Sequence, residues 1–434
     1  MKSRVLAAGA VAAAALIGLT GCGSPGNSST ADQSAAPVTI RVGSSEDANG
    51  VGIQQQIADA YMALHPNVTI SIEADPTDYS TKLQTELAAN TAPDLFQLGD
   101  GDIAAYVAKG AAADISSYVT GSNGLQLSDY ITQIINLGQV NGKWYVLPKD
   151  YSSAVVYYNK DLFAAAGLAD PVDTWTWADL EADAQALTKT DASGNTTQFG
   201  ILTHPGTRAI LPWIYSFGGD VVSPDGQTVT GYLDSAGTIA GMQEFNKLYT
   251  LGVTPTAAQA TANSGTDLFM SGMAGMNVYG DWKAAAYETA KQQGTLNYGI
   301  VQIPAGPAGQ FSTLYYSGFA MWSGSKIKDA AWDYLKFIET QGQQIMAQNG
   351  LFSPYVPAAT ANSNDQTAAF QQAASNAKMF PEVLNQYFAA TVDQDFQDNV
   401  ITPIYQGGVT DDQVAALMQQ LATQAQSDLD KAAQ

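Results

Sequence analysis

The segment Val38-Thr39-Ile40-Arg41-Val42 alternates apolar and polar residues as a β-strand does, and Val68-Thr69-Ile70-Ser71-Ile72 repeats the alternation. Between these segments, apolar residues recur at helical spacing, at Ile53, Ile57, Tyr61 and Leu64. A strand, a helix and a second strand in this order form a βαβ unit, whose strands lie parallel and are joined by a right-handed crossover. The stretch from 38 to 72 therefore predicts an α/β fold.

The alternation of helices and strands continues along the chain. The pattern predicts a helix over 79–90 and a strand over 94–98, then a strand over 155–158 and a helix over 161–166. Thr176 and Asp179 have the spacing of a capping box, which predicts that a helix begins there. Because 434 residues exceed what one hydrophobic core usually supports, we expect the α/β chain to form more than one lobe.

Composition excludes several classes of function. The chain carries 18 basic and 40 acidic residues, a net charge of −22, so it lacks the basic surface that a nucleic-acid-binding protein needs. The single Cys cannot form an internal disulfide, and the two His, at 65 and 204, are too few and too far apart for a zinc site. Neither a nucleophile elbow nor a phosphate-binding loop occurs, and we expect no cofactor.

The N-terminus has the pattern of an export signal. Lys2 and Arg4 precede an apolar run over 5–19, which is shorter than the roughly 20 residues that span a bilayer. The run ends in Leu19-Thr20-Gly21-Cys22, which resembles the bacterial lipobox. We therefore predict a lipoprotein signal peptide over 1–21, a lipid anchor on Cys22 and a flexible linker over 22–37, rich in Ser, Gly, Asn and Pro. The alternative is an ordinary secretory signal with an incidental Cys.

A series of different short motifs occurs, in a characteristic order, over nearly the whole remaining chain. Among them are Ala92-Pro93-Asp94-Leu95, Asn141-Gly142-Lys143-Trp144, Tyr157-Tyr158-Asn159-Lys160, Thr174-Trp175-Thr176-Trp177, Phe217-Gly218-Gly219-Asp220, the segment over 268–282 and Ile303-Pro304-Ala305-Gly306-Pro307. Together they resemble the extracellular solute-binding lipoproteins of ATP-driven sugar importers, the family that includes the maltose-binding protein.

The resemblance implies a type II periplasmic-binding-protein-like fold, with two hinged α/β lobes closing on a ligand. The chain would leave the first lobe near Pro148, return near Ser317 and cross again after residue 360. The first lobe would then contain 38–148 and 317–360, and the second 149–316 and 361–434. Because ligands of open α/β sheets bind beyond the carboxyl ends of the strands, the loops after the strands are where we expect the site.

Sugars offer an apolar face and a ring of hydroxyl groups, so their sites combine flat aromatic rings with polar side chains. Trp282 matches the family position at which an aromatic ring stacks on the sugar, and Asp281 stands where the family commonly has Pro. Further candidates follow predicted strands or flank the hinges, and these are Glu46, Asp47, Asp100, Tyr151, Arg208, Trp213, Tyr215, Tyr316 and Tyr387. We assign Trp175, Trp177 and Trp332, which lie in helical patterns, to the core.

The expected function is capture of a sugar or oligosaccharide outside the cell and its delivery to an ABC transporter permease. The protein would act as a monomer attached to the cell membrane through its lipid anchor alone, with no enzymatic activity. Two alternatives remain open. One is a lipid-anchored glycan hydrolase, which needs two suitably spaced carboxylates. The other is the same two-lobed fold with a peptide, polyamine or metal-chelate ligand.

Overall fold

The computed structural model describes residues 36–362, 365–378 and 385–434. The predicted signal peptide, Cys22 and the linker up to residue 35 lie outside the described residues. The strands of the described part are β1 (Val38–Ser44), β2 (Val68–Ala74), β3 (Leu95–Gly99), β4 (Gln139–Val140), β5 (Lys143–Trp144), β6 (Val146–Ser153), β7 (Val155–Asn159), β8 (Lys189–Thr190), β9 (Thr196–Leu202), β10 (Ala274–Tyr279), β11 (Tyr298–Val301), β12 (Ser312–Met321) and β13 (Ala377–Lys378).

The helices of the same ranges include short single-turn elements as well as long amphipathic ones. They are α1 (Ala48–Leu64), α2 (Tyr79–Ala88), α3 (Ile103–Ala108), α4 (Ser116–Thr120), α5 (Thr132–Ile135), α6 (Lys160–Ala166), α7 (Trp177–Leu187), α8 (Thr207–Ser216), α9 (Ala236–Thr250), α10 (Ala257–Ala262), α11 (Ala284–Gln292), α12 (Lys328–Phe337), α13 (Gln343–Gln348), α14 (Val356–Ala361), α15 (Asp365–Ser375), α16 (Gln394–Phe396), α17 (Thr402–Gln406) and α18 (Asp411–Ala432). Wider π-helical turns follow α12 and flank α16.

The first sheet confirms the βαβ unit at the start of the described chain. β1 lies between β2 and β3 and pairs parallel with both, with Val38 opposite Val68. β12 continues the sheet antiparallel to β3, and β6 and β13 also pair with β12. The parallel strands therefore end at one edge, where the loops after β1 and β3 meet.

The second sheet has the order β11-β7-β10-β9-β8. β10 and β9 are parallel, but β7 runs antiparallel to both of its neighbours. The strand and helix predicted over 155–166 thus exist as β7 and α6, yet they do not begin another parallel unit. β10, which comes much later in the chain, lies between β7 and β9. It is antiparallel to β7 and parallel to β9, so β7 and β9 run in opposite directions.

The chain passes from one sheet to the other at a single residue. Ala154 separates β6, which pairs in the first sheet, from β7, which pairs in the second. Position 148, the predicted crossing, lies inside β6, and position 317 lies inside β12. We therefore place the first crossing at Ala154 and the return at the start of β12. The C-terminal helix α18 packs against α9 on the second sheet's core.

The apolar periodicity identified the core correctly in most places. Ile53, Ile57 and Tyr61 of α1 are buried, whereas Leu64, at its last turn, is 63% exposed. Trp175, Trp177 and Trp332 are at most 4% exposed, which confirms the prediction that they pack in the core. Thr176 and Asp179 form the predicted capping box of α7. Within the described ranges, no helix has both the length and the apolar character needed to cross a bilayer.

One buried carboxyl group lies behind the strand that leads to the crossing. Glu339 is fully buried, and neither of its carboxylate oxygens has a hydrogen-bond partner in the described part of the chain. Burial raises the pKa of Glu339 well above its ordinary value, and the negative charge of Asp150 raises it further. The native state therefore binds the proton of this carboxyl group more tightly than the unfolded chain does.

We expect Glu339→Gln to stabilise the protein increasingly as the pH rises. For a carboxyl group with a raised native pKa, unfolding releases a proton, so the free energy of unfolding falls above the unfolded pKa by up to about 1.4 kcal/mol per pH unit. Gln has the same shape and does not titrate. Urea unfolding at pH 5 and pH 8 measures the effect, and a difference between variant and wild type that stays constant with pH contradicts it.

Candidate ligand-binding cleft

A cavity of about 610 Å³ opens at the edge where strands of both sheets end, within the usual size range of small-molecule sites. The first lobe contributes the loops after β1 and β3, the strand β6 and the loop after α13. The second contributes the start of α8 and the segment after β10. The polar and aromatic residues that line the cavity are Ser45, Glu46, Asp47, Asn49, Gln97, Asp100, Lys149, Asp150, Tyr151, Ser152, Arg208, Asp281, Trp282, Tyr315, Tyr316, Ser317 and Asn349.

The cavity floor contains a buried ammonium group between two carboxylates. Lys149 Nζ lies 2.7 Å from Glu46 Oε1 and 2.6 Å from Asp150 Oδ2. Burial opposes the charge of Lys149, but Asp150 and Glu46 outweigh this and raise its pKa above the ordinary value. Gln97 Nε2 donates to Glu46 Oε1 at 2.7 Å. Ser317 Oγ donates to Asp150 Oδ1 at 2.7 Å. These bonds fix the floor before any ligand enters.

A second ion pair joins elements of the two lobes across the cleft. Asp100, directly after β3, pairs with Arg208, in the first turn of α8. The Asp100 carboxylate, 2% exposed, also accepts the backbone N–H groups of Gly101 and Tyr316, at 2.9 and 3.2 Å. Because three donors hold this carboxylate, it positions the Arg208 guanidinium at the cavity wall.

Trp282 presents an exposed aromatic surface to the cavity. Trp282 is 53% exposed although it comes only three residues after a buried strand, β10. The rings of Tyr279 and Tyr315 meet the indole edge-on, at 5.1 and 5.4 Å between centroids. A Cβ on Gly280 would lie 2.1 Å from an indole carbon, so only glycine lets the indole lie over the backbone here. Tyr279, Tyr315 and the backbone at Gly280 therefore hold the indole in place, and the rest of its surface stays exposed.

Beside the indole lies the carboxyl group of Asp281, whose pKa is raised. Burial raises the pKa of Asp281 to about 7, against a hydrogen bond from Ser152, and the negative charge of Asp150 adds to the rise. A group with this pKa can accept or donate a hydrogen bond at neutral pH. It therefore suits a neutral polar ligand with hydroxyl groups.

The structure brings most of the predicted site residues together. Eight of them line the cavity: Glu46, Asp47, Asp100, Tyr151, Arg208, Asp281, Trp282 and Tyr316. Tyr151 and Tyr316 are almost completely buried, at 2% and 6% exposure, so little of either side chain reaches the cavity. Asp47 caps α1 by accepting the N–H groups of Asn49 and Gly50, which occupies one of its oxygens.

Three of the predicted residues do not line the cavity. Trp213 is 1% exposed and stacks on Trp177 in the core, with 4.4 Å between ring centroids. Tyr215 is also 1% exposed, and Tyr387 packs against the same core. Trp213 and Tyr215 lie on the second and third turns of α8. Only the first turn of this helix faces the cleft, so both side chains point into the core.

Sequence reasoning missed several residues of the cleft. Lys149 and Asp150 directly follow Pro148, the predicted crossing, and lie inside the buried strand β6. Tyr315 neighbours Tyr316, which was selected, and contacts Trp282. Gln97, 4% exposed inside a buried strand, was a polar exception in an apolar pattern. Ser317 lies at the predicted return between the lobes, next to Tyr316, whereas no signal in the sequence pointed to Asn349.

Comparisons with known proteins agree with this geometry. A family model described as bacterial extracellular solute-binding protein matches residues 43–345. A putative binding protein of Brucella abortus is 26% identical over 289 residues, 65% of this chain and 67% of that protein. The maltotriose-binding protein of Pyrococcus abyssi is 24% identical over 351 residues, covering 77% of this chain and 71% of that protein.

The fold is also that of solved solute receptors. The GacH receptor of Streptomyces glaucescens, solved unliganded and with acarbose, superposes with a TM-score of 0.77 at 21% identity, over 91% of this chain and all of that one. The two lobes predicted from the sequence are therefore confirmed. The family consists of binding proteins rather than enzymes, which removes the hydrolase alternative. With a family model matching most of its length and a cleft built between two lobes, the chain belongs to the bacterial extracellular solute-binding proteins.

Proposed function

We propose that this protein captures a saccharide in the cleft between its lobes and delivers it to the permease of an ABC transporter. The observation that carries the proposal is the exposed indole of Trp282, surrounded by polar groups of the cavity wall. An aromatic face binds the C–H face of a sugar ring, and charged side chains already fixed by ion pairs bind its hydroxyl groups at little cost in ordering.

Relatives support a saccharide over the peptide, polyamine and metal-chelate alternatives. Proteins named for maltotriose, diacetylchitobiose and galactooligosaccharide are 23 to 25% identical to this chain. The Lys149 and Arg208 cations are already paired with carboxylates, so the cavity suits an uncharged ligand better than an anionic one.

A thermal-shift screen of the purified, signal-free protein tests the proposal. The panel contains mono-, di- and oligosaccharides, with a tripeptide, spermidine and a ferric siderophore as the non-sugar arms. A specific ligand at 100 times its dissociation constant stabilises the protein by about 2.7 kcal/mol, which is a clear rise in Tm. A rise with a saccharide alone supports the proposal. A rise in Tm with the tripeptide, spermidine or siderophore alone contradicts it.

We also propose that lipid on Cys22, the only cysteine in the sequence, anchors the protein to the membrane. We expect Cys22→Ala to prevent lipidation, because the thiol that would carry the lipid is gone, while the folded lobes keep their affinity. Metabolic labelling with radioactive palmitate measures this in cells that process lipoproteins. Label that persists on the Cys22→Ala protein would contradict the assignment, and Ser24→Ala, two residues away, serves as the matched control.

A further inference from the structure

We propose that the edge of the first sheet opposite the cleft contacts the membrane surface, and that it binds anionic lipid headgroups through lysine side chains and an exposed leucine. The inference rests on the lipid anchor proposed for Cys22, and it adds a contact and an orientation that the anchor alone does not determine. It depends on the topology of the first sheet, on the length of the linker and on the side chains at this edge.

The edge opposite the cleft is where the parallel strands of the first sheet begin. β1 and β3 lead to the cleft at their carboxyl ends, so their first residues lie at the other side of the sheet. β12 is antiparallel to β3, which places its last residue, Met321, beside Leu95 at the start of β3. The seven residues of β1 separate this side from the cleft by about 23 Å. We call it the anchor edge, formed by 64–68, 90–95, 109–113 and 321–328.

The linker keeps the anchor edge close to the bilayer. β1 begins at Val38, and the predicted linker over 22–37 joins it to the proposed lipid on Cys22. A flexible chain of about 16 residues has a root-mean-square end-to-end distance of about 20 Å. A contact between tethered partners forms at a high effective concentration, so contacts too weak to bind the free protein to a membrane are sufficient here.

The anchor edge has three lysines that form no ion pair with any described residue. Lys109 and Lys326 are exposed, and Lys328 is half-buried, with its ammonium group donating to a backbone carbonyl at 3.2 Å. The two loops that supply these lysines are joined, because Ser323 Oγ donates to the Gly110 carbonyl at 2.6 Å. Lysines placed next to a lipid anchor are attracted by anionic headgroups.

Acidic groups of the same region are bound to other parts of the protein. Asp94 accepts the Ser325 hydroxyl at 2.7 Å and the backbone N–H of Arg41 at 3.1 Å. Asp329 accepts the Tyr118 hydroxyl at 2.6 Å. These bonds hold both carboxylates against the protein, whereas long lysine side chains can extend toward the headgroups.

An exposed apolar side chain belongs to the same surface. Leu64 is 63% exposed, the largest fraction among the large hydrophobic side chains of the described residues. It lies in the last turn of α1, which begins after β1 at the cleft and ends at the anchor edge, just before β2. Apolar side chains next to lysines are typical of surfaces that bind at the bilayer interface.

The overall charge favours this orientation over others. The chain has a net charge of −22, so most of its surface is repelled by anionic lipids. Screening limits this repulsion to about 10 Å at 0.1 M salt, so acidic groups at the cleft contribute little while the anchor edge is in contact. The cleft then opens away from the bilayer, toward the medium from which the ligand arrives.

Lysine footprinting on vesicles tests the proposal. The protein beginning at Cys22 is coupled through this single thiol to a maleimide lipid, so the test does not depend on lipidation in cells. Vesicles contain either phosphatidylcholine alone or a mixture rich in phosphatidylglycerol. Brief acetylation followed by mass spectrometry then measures how fast Lys109, Lys326 and Lys328 react.

We expect these three lysines to react at least about threefold more slowly on phosphatidylglycerol than on phosphatidylcholine, and high salt should remove the difference. Lys189 and Lys291, exposed on the second lobe, should react equally on both. The double variant Lys326→Gln/Lys328→Gln should lose most of the protection of Lys109. The matched control, Lys189→Gln/Lys291→Gln, should keep it.

Equal reactivity of the anchor-edge lysines on both kinds of vesicle would overturn the inference, as would protection of the second-lobe lysines in their place. Protection of Lys109 that persists in Lys326→Gln/Lys328→Gln would also contradict it. None of these results bears on saccharide binding, which the soluble protein reports separately. Failure of the Cys22 anchor in cells would be seen in the palmitate experiment and not in this one.

Discussion

Trp282→Ala is expected to weaken saccharide binding about a hundredfold or more. The indole is 53% exposed to the cleft, and stacking a sugar on it removes apolar surface of both partners from water. At about 25 cal/mol per Å² this contributes a few kcal/mol before ordering costs, and about 1.4 kcal/mol corresponds to each tenfold change in affinity. Calorimetry of the folded variant with the saccharide found by the screen measures the loss.

Two variants separate stacking from folding. Trp282→Phe keeps a flat ring and should lose much less affinity than Trp282→Ala. Trp332→Ala removes an indole that is 2% exposed, so it should cost about 3 to 5 kcal/mol of stability with little change in affinity. Wild-type affinity in Trp282→Ala would show that the indole does not contact the ligand.

Lys149→Met is expected to lower the free energy of unfolding by about 3 kcal/mol. The ammonium group is 6% exposed and pairs with both Glu46 and Asp150, which are themselves about one-fifth exposed. Removing it leaves two carboxylates facing each other without a cation, and breaking a buried pair in this way is strongly destabilising. The apolar stem is kept in Met, so the effect reports the charge rather than lost packing.

Lys143→Met is the matched control for this prediction. Lys143 also pairs with a carboxylate, Asp114 at 2.9 Å, but its side chain is 59% exposed. Exposed pairs contribute little because water already solvates both charges. Urea unfolding should therefore separate the two variants, and equal midpoints for both would contradict the assigned role of the Lys149 cluster.

Much of the fold was predictable because its signals are local. Alternation over 38–42 and 68–72, with a helical stripe between them, was enough for the parallel unit of β1, α1 and β2. The pairing of β7 was not predictable in this way. Its antiparallel neighbours are β10 and β11, more than a hundred residues later, and no local pattern encodes which distant strand inserts beside it.

Site residues that follow strands could be predicted from the sequence. Those on a helix, or on the loop after α13, could not. Glu46, Asp100 and Trp282 lie within three residues of the ends of strands that lead to the cleft, so position in the sequence implied position in space. The sequence could not place Trp213, because which turns of α8 face the cleft depends on how the helix packs. Asn349 was missed because the loop after α13 reaches the cleft only through the tertiary fold.

Hydrogen exchange with and without saturating saccharide tests most directly the claim that the ligand is held between both lobes. Mass spectrometry of peptides should show slower amide exchange at 45–50 and 349–351 of the first lobe and, in the same sample, at 206–209 and 281–285 of the second. These segments supply the cleft loops on each side. Protection of both sets is the predicted result. Protection confined to one lobe, or found only outside these segments, would contradict the account.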